Sequence, residues 1–219
     1  MGAIKLKHTS GNGTILNSPA ANPSSDITLK LPSTTGSAGQ VLQVASANHS
    51  STNAELEFAA AAAGITMADQ WRTYNTQSIS GNTATNVTSW ERNDNTFAGI
   101  GSAMNESSGV FTFPTTGIYL VTYNFTFFDT SGNNRYITSR LKYNNVYQSQ
   151  PYTGMVYISG ETFCNLSSNV ILDVTNTSHE LYFSVVSEAT FQIAGNNWAG
   201  VGNENVNTCD VTFIRLGDT

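Results

Sequence analysis

Three histidines, two cysteines and fifteen acidic residues are the groups from which this 219-residue chain would have to build catalysis or a metal site. The histidines are scattered. His8 and His49 lie in Ser- and Asn-rich stretches, and His179 ends a turn-like Asn176-Thr177-Ser178-His179. They read as solvated polar residues rather than as ligands or bases. No Gly-x-Ser-x-Gly elbow surrounds a serine and no Walker-type glycine loop is present. Asp94, Glu106, Asp129 and Asp173 lack the ladder spacing of a calcium loop and read as surface charges in or near loops. A glycosidase needs two carboxylates in one cleft, and no pair is singled out. Cys164 and Cys209 sit in strand-like runs and read as small apolar groups. A disulfide between them needs neighbouring strands and an oxidising compartment. The expectation is no catalytic residue, no cofactor and no metal.

Aromatic residues in polar loops are more informative. Tyr143, Tyr147, Tyr152 and Trp198 stand among Asn145, Gln148, Gln150, Asn196 and Asn197. Ring faces beside amide groups suit a sugar, whose C–H face stacks while its hydroxyls pair with amides. The same rings would serve equally to pack beneath loops or against another subunit. Both readings stay open.

Charge narrows the partners. The net charge is −6, and the nine Lys and Arg form no basic run. Nucleic-acid affinity comes mainly from Lys and Arg neutralising phosphates, so no nucleic-acid partner is expected. No apolar stretch reaches the 18 residues that a membrane span needs. Met1-Gly2-Ala3-Ile4-Lys5 lacks the hydrophobic segment of a secretory signal. Synthesis in a cytoplasm is expected, without membrane insertion.

The composition changes near residue 65. Of the 23 aromatic residues all but Phe58 lie beyond it. In residues 1–65, Asp26–Leu31, Gln40–Val44 and Ala54–Phe58 alternate at the strand period, with Ile4–Leu6 and Gly13–Leu16 as weaker strands. A leader this poor in apolar side chains is expected to need burial supplied by other chains. Residues 66–219 hold ten candidate strands, among them Thr85–Arg92, Gly117–Phe128, Val156–Phe163 and Thr208–Leu216, separated by Gly- and Asn-rich turns. In Gly117–Phe125 the residues Tyr119, Val121, Tyr123 and Phe125 share one face, and Ile118 and Leu120 lie on the other. Apolar residues on both faces predict a strand covered on two sides. One cover is the core and the other a subunit interface, to which Tyr119, Val121, Tyr123 and Phe125 are assigned.

Two segments resemble known families. Ile27-Thr28-Leu29-Lys30-Leu31-Pro32, followed by Gly36-Ser37-Ala38-Gly39-Gln40-Val41-Leu42 and then Leu56-Glu57-Phe58, resembles a recurring segment of tail-fibre and other structural proteins of phages, especially marine and cyanobacterial ones. Gly109-Val110-Phe111, then Pro114-Thr115-Thr116-Gly117, then Tyr119 and Tyr123, resembles the C1q/TNF-like jelly roll. Met104-Asn105 and Val121 depart from that family's usual residues. Together the resemblances imply an all-β protein: a C-terminal ten-strand C1q/TNF-like jelly-roll sandwich over 66–219, preceded by an extended β-rich arm over 1–65. They imply a homotrimer on a virion surface, released by lysis. The arm, with Ile4, Leu6, Ile15 and Leu16, would anchor it to other virion proteins, and the head would bind a host glycan or receptor. A capsid decoration protein or head fibre is the alternative. A soluble C1q-like signalling module fits the phage-like arm less well.

Overall fold

The computed structural model describes residues 3–7, 13–17, 25–60, 64–92, 98–129, 134–154, 162–195 and 207–219. The chain divides into two compact units, Met1–Ala63 and Gly64–Thr219.

In the first unit β1 (Ala3–Lys7) and β2 (Gly13–Asn17) form an antiparallel hairpin that sets Ile4 opposite Leu16 and Lys5 opposite Ile15. β3 (Thr28–Lys30) runs parallel to β5 (Asn53–Ala60), and β4 (Gln40–His49) pairs antiparallel with β5 on its other edge. The register puts Leu29 beside Ala54, Leu56 opposite Val44 and Phe58 opposite Leu42. One face of this sheet is therefore apolar, and the other carries Lys30, Glu55, Glu57 and Gln43. The Gly36 turn explains its motif. Its φ is +70°, and a Cβ there would lie 2.6 Å from the Phe58 ring. Only a glycine lets the turn close onto that ring. Ser37 and Gln40 then lock the turn: the Ser37 amide donates to Gln40 Oε1 at 2.7 Å.

The second unit contains fourteen strands among the described residues. They are β6 (Met67–Thr73), β7 (Gln77–Ile79), β8 (Thr85–Asn86), β9 (Trp90–Glu91), β10 (Asn105–Ser107), β11 (Val110–Thr112), β12 (Gly117–Asp129), β13 (Ile137–Tyr143), β14 (Val146–Ser149), β15 (Tyr152–Thr153), β16 (Thr162–Val174), β17 (Glu180–Ser187), β18 (Phe191–Ile193) and β19 (Asp210–Gly217). Eight are principal: β6, β11, β12, β13, β14, β16, β17 and β19. Numbered one to eight along the chain, they build one sheet in the order 1-8-3-6 and a second in the order 2-7-4-5. That interleaving is the jelly roll, in which the chain repeatedly changes sheet.

The core lies between the sheets. β12 alternates strictly, burying Tyr119, Val121, Tyr123, Phe125 and Phe127 while the intervening residues are half-buried. Phe111 is fully buried and meets the rings of Trp71, Trp90, Phe183 and Phe213 at centroid distances of 5.1–6.3 Å, the geometry aromatic pairs prefer. The assignment of Tyr119, Val121, Tyr123 and Phe125 to a subunit interface is therefore corrected. These side chains close the head's own core, and the outward face of β12 carries Ile118, Leu120, Thr122 and Asn124.

Two strand expectations change. Thr85–Arg92 is not one strand: β8 pairs with β17 in the second sheet, β9 pairs with β6 in the first, and Ser89 turns between them at φ 61°. Val156–Phe163 lies mostly outside the described residues, and Thr162–Val174 is continuous because β12 templates it residue by residue.

Buried polar groups tie down the loops. Asp69, with a wholly buried side chain, accepts from Arg92 Nε and Nη2, from Trp71 Nε1 and from the Met104 amide, at 2.8–3.0 Å. Arg92 also lies 4.0 Å over the Trp71 ring and donates to the Met104 carbonyl. Both ends of the 92–104 connection are held by one carboxylate. Asp129, expected as a surface charge, is buried and accepts from Asn134 Nδ2 at 2.7 Å, closing the 129–134 connection in the same way. Glu106 accepts from the Gly109 amide, Asp173 is exposed, and Asp94 lies outside the described residues.

Gly109 offers a direct test of the hairpin between β10 and β11. Ser108 and Gly109 have φ of 53° and 89°, the mirror-image turn that matches the twist of paired strands. A Cβ on Gly109 would lie 2.7 Å from the Val87 carbonyl oxygen. Gly109→Ala is expected to destabilise the head by about 1–3 kcal/mol, from backbone strain and that clash. An unchanged urea midpoint would show the turn to be looser than described.

Candidate functional site

β13 is the strand that positions the candidate site. Ile137, Ser139, Leu141 and Tyr143 face the core, so Arg140 and Lys142 face outward. Asn144 and Asn145, both with positive φ, make a two-residue turn into β14. Tyr147 then stands opposite Lys142, whereas Leu141 pairs with Ser149. Gln148 is thus the extra residue of a β-bulge, which re-aims the side chains around it. Val146, Tyr147 and Gln148 are all exposed. β15 pairs with the start of β13, which brings Tyr152 onto the same edge. A chain of hydroxyls braces that edge. Ser139 Oγ donates to Tyr123 OH, Tyr123 OH contacts Ser149 Oγ at 3.3 Å, and Ser149 Oγ contacts Ser168 Oγ at 2.6 Å.

Of the sequence-derived ligand residues, the fold brings Tyr147, Gln148, Gln150 and Tyr152 together on exposed or half-exposed positions. Tyr152 is 63% exposed and its hydroxyl accepts from Gln150 Nε2. Tyr143 goes elsewhere. It is 8% exposed, meets Phe113 and His179 edge-on, and its hydroxyl lies 3.1 Å from His179 Nδ1. Burial pushes its phenol up from the ordinary value, with Asp173 adding to the effect. Asn196, Asn197 and Trp198 lie outside the described residues.

Three residues join the site that sequence reasoning had not marked: Arg140, Lys142 and Tyr182. β17 places Tyr182 opposite Lys142, on the side away from Tyr147. The Lys142 ammonium lies 4.5 Å from the Tyr147 ring centre and 5.4 Å from that of Tyr182, and the Arg140 guanidinium lies 5.3 Å from Tyr147. Tyr182 OH donates to Asn145 Oδ1 at 3.4 Å. A strand-period reading of Tyr136–Tyr143 would have put both cations on one face. Tyr182 is forty residues away and carries no local signal.

A second surface lies on the outward face of the first sheet. The registers align Ala68, Ile214, Leu120 and Ile171 in one rung across β6, β19, β12 and β16. Ile171 is 66% exposed and the other three are half-buried. The next rungs are polar: Gln70, Thr212, Thr122 and Asn169, then Arg72, Asp210, Asn124 and Ser167. Gln70 Nε2 donates to Thr212 Oγ1 at 2.9 Å, and burial pushes the Asp210 carboxyl up. Thr122, Asn124, Ser167, Asn169 and Asp210 line a shallow groove of about 310 Å³.

The cysteines are free. They flank opposite edges of β12: Cys164 pairs with Phe127, while the Cys209 sulfur accepts the Thr126 amide at 3.1 Å. The intervening strand keeps them apart. Burial pushes the Cys209 thiol up to about 12 and the Cys164 thiol up to about 11, from an ordinary value of 9.0. Native values above the unfolded ones mean the neutral thiols favour the fold fully below pH 9.0 and lose that contribution as pH rises toward 11 and 12. Urea midpoints are expected to fall across that alkaline range, and less so in Cys209→Ala. A Cys209→Ala profile as steep as the wild type would remove this thiol as the cause.

The fold and its site define an all-β, two-sheet jelly roll with an aromatic and cationic patch on the second sheet. No protein-family model and no curated protein matches the sequence. Among solved structures the chain is similar to Eiger TNF from S. frugiperda, at 14% identity over 72% of this chain and 96% of that one, with a TM-score of 0.49. It is similar to murine APRIL at pH 8.0, at 11% identity over 68% and 98%, with a TM-score of 0.48. It is also similar to PRD1 vertex protein P5, at 15% identity over 71% and 100%, with a TM-score of 0.45.

Proposed function

We propose that the protein is a non-enzymatic, homotrimeric surface protein of a phage particle, a tail fibre or appendage whose head attaches to the host cell. The apolar rung Ala68–Ile214–Leu120–Ile171 carries the oligomeric part. It crosses an open sheet face toward one end of its strands, where water contact is costly and self-association removes it. The two rungs on one side, through Thr122 and through Asn124, are polar and suit the rim of a subunit contact. The phage part is supported by the resemblance of residues 27–58, whose glycine turn and Phe58 the fold accounts for. Attachment is supported by the exposed Tyr147–Gln148–Tyr152 edge.

A capsid decoration role is the second reading. One observation favours it: the apolar face of the β3–β5–β4 sheet leaves Leu29, Leu42 and Val44 about half exposed, a surface ready to dock on other virion proteins or on sibling arms. Gold-labelling the parent particle separates the two, as label on the tail supports attachment and label over the capsid supports decoration. Purified protein is expected to adhere to host cells and to slow infection by competition. Failure of both would end the attachment reading.

A further inference from the structure

Arg140 and Lys142 are two residues apart on the outward face of β13, so their backbones are about 7 Å apart. Like charges this close repel, and the chain has only nine Lys and Arg in all. Elsewhere among the described residues arginines are neutralised: Arg72 by Glu91, Arg92 by Asp69, Arg135 by Glu188 and Arg215 by Asp218. Neither Arg140 nor Lys142 has a carboxylate partner among the described residues. Their neighbours are the rings of Tyr147 and Tyr182. A repelling cation pair on one outward face is relieved by an anion.

We infer that Arg140, Lys142, Tyr147 and Tyr182, with Asn145 and Gln148, bind an acidic polysaccharide. The inference deepens the attachment reading by naming the ligand class of that same edge. A carboxylate or sulfate of the sugar accepts from Arg140 and Lys142 in charge-assisted bonds. The tyrosine rings offer faces for sugar C–H groups, and the amides of Asn145 and Gln148 serve the neutral hydroxyls. Nucleic acid fits less well, because two cations on a chain of net charge −6 neutralise few phosphates. An acidic peptide would satisfy the cations but leave the ring faces without a role.

The test uses the 219-residue chain on columns of immobilised dextran sulfate and of neutral dextran, with soluble polyglutamate as competitor. Wild type is expected to be retained on the sulfated column alone, and less so as salt rises. Arg140→Gln/Lys142→Gln is expected to lose affinity about tenfold or more. Tyr147→Ala is expected to weaken retention at unchanged salt dependence. Circular dichroism and solution mass confirm that the variants keep their fold and assembly. No retention of wild type, equal retention of the double variant, or displacement by polyglutamate as effective as by free dextran sulfate overturns the inference. Host-cell adherence keeps the two readings apart. Wild type and double variant adhering equally would sink the ligand assignment and leave attachment standing. Sulfate-column retention without adherence would do the reverse.

Discussion

Asp69→Ala is expected to lower the unfolding free energy of the head by about 3 kcal/mol, among the larger effects a single substitution has here. The carboxylate is fully buried and accepts from three residues, so its removal strands the Trp71 indole N–H and the Met104 amide without an acceptor. The Arg92 side chain is 33% exposed and can turn to water, which keeps the loss at the low end of the range for a broken buried ion pair. Asp69→Asn preserves shape and one acceptor oxygen, and should fall between the two. Urea unfolding followed by tryptophan fluorescence reads both variants, because Trp71 and Trp90 report directly on this corner of the core. An Asp69→Ala midpoint within about 0.5 kcal/mol of the wild type would mean that the 92–104 connection is held by something else.

Leu120→Glu is expected to break the proposed trimer into folded monomers, so that the mass in sedimentation equilibrium falls from three times 23.5 kDa to that of one chain. Leu120 is at the centre of the apolar rung, and a carboxylate there would be buried unpaired in any assembled form. The single-chain fold tolerates it, because the side chain faces away from the core. Val146→Glu, on the exposed edge of the other sheet, is the matched control and should leave the mass unchanged. A wild-type chain already monomeric at micromolar concentration, or a Leu120→Glu chain that still sediments as three, would place the contact elsewhere or remove it.

Much of the architecture is legible in the residues themselves. Gly117–Phe128 announces a long strand by its alternation, whereas the two positions where no side chain fits, Gly36 and Gly109, show only once the chain is folded. What alternation cannot say is which apolar face meets which neighbour. In the first half of β12 both faces are greasy, and the choice between core and outer surface depends on the second sheet, which is drawn from distant parts of the chain. That is why Tyr119, Val121, Tyr123 and Phe125 exchange roles with Ile118 and Leu120. The binding edge splits in the same way. Tyr147, Gln148, Gln150 and Tyr152 are neighbours in sequence and stay neighbours in space. Tyr182 arrives only through the pairing of β13 with β17, and Tyr143 leaves because strand parity turns it inward. Asp69 was readable in principle. It shares the strand parity of Met67 and Trp71, and a carboxylate on an otherwise apolar face calls for a buried partner.

β12 is bonded along both edges, by β16 over its whole length and by β19 and then β18 on the other side. Freeing this strand means breaking two ladders together, not one. Its amides should be among the last in the molecule to exchange with deuterated water. In the proposed attachment role, the middle of the head is the part that would give way last.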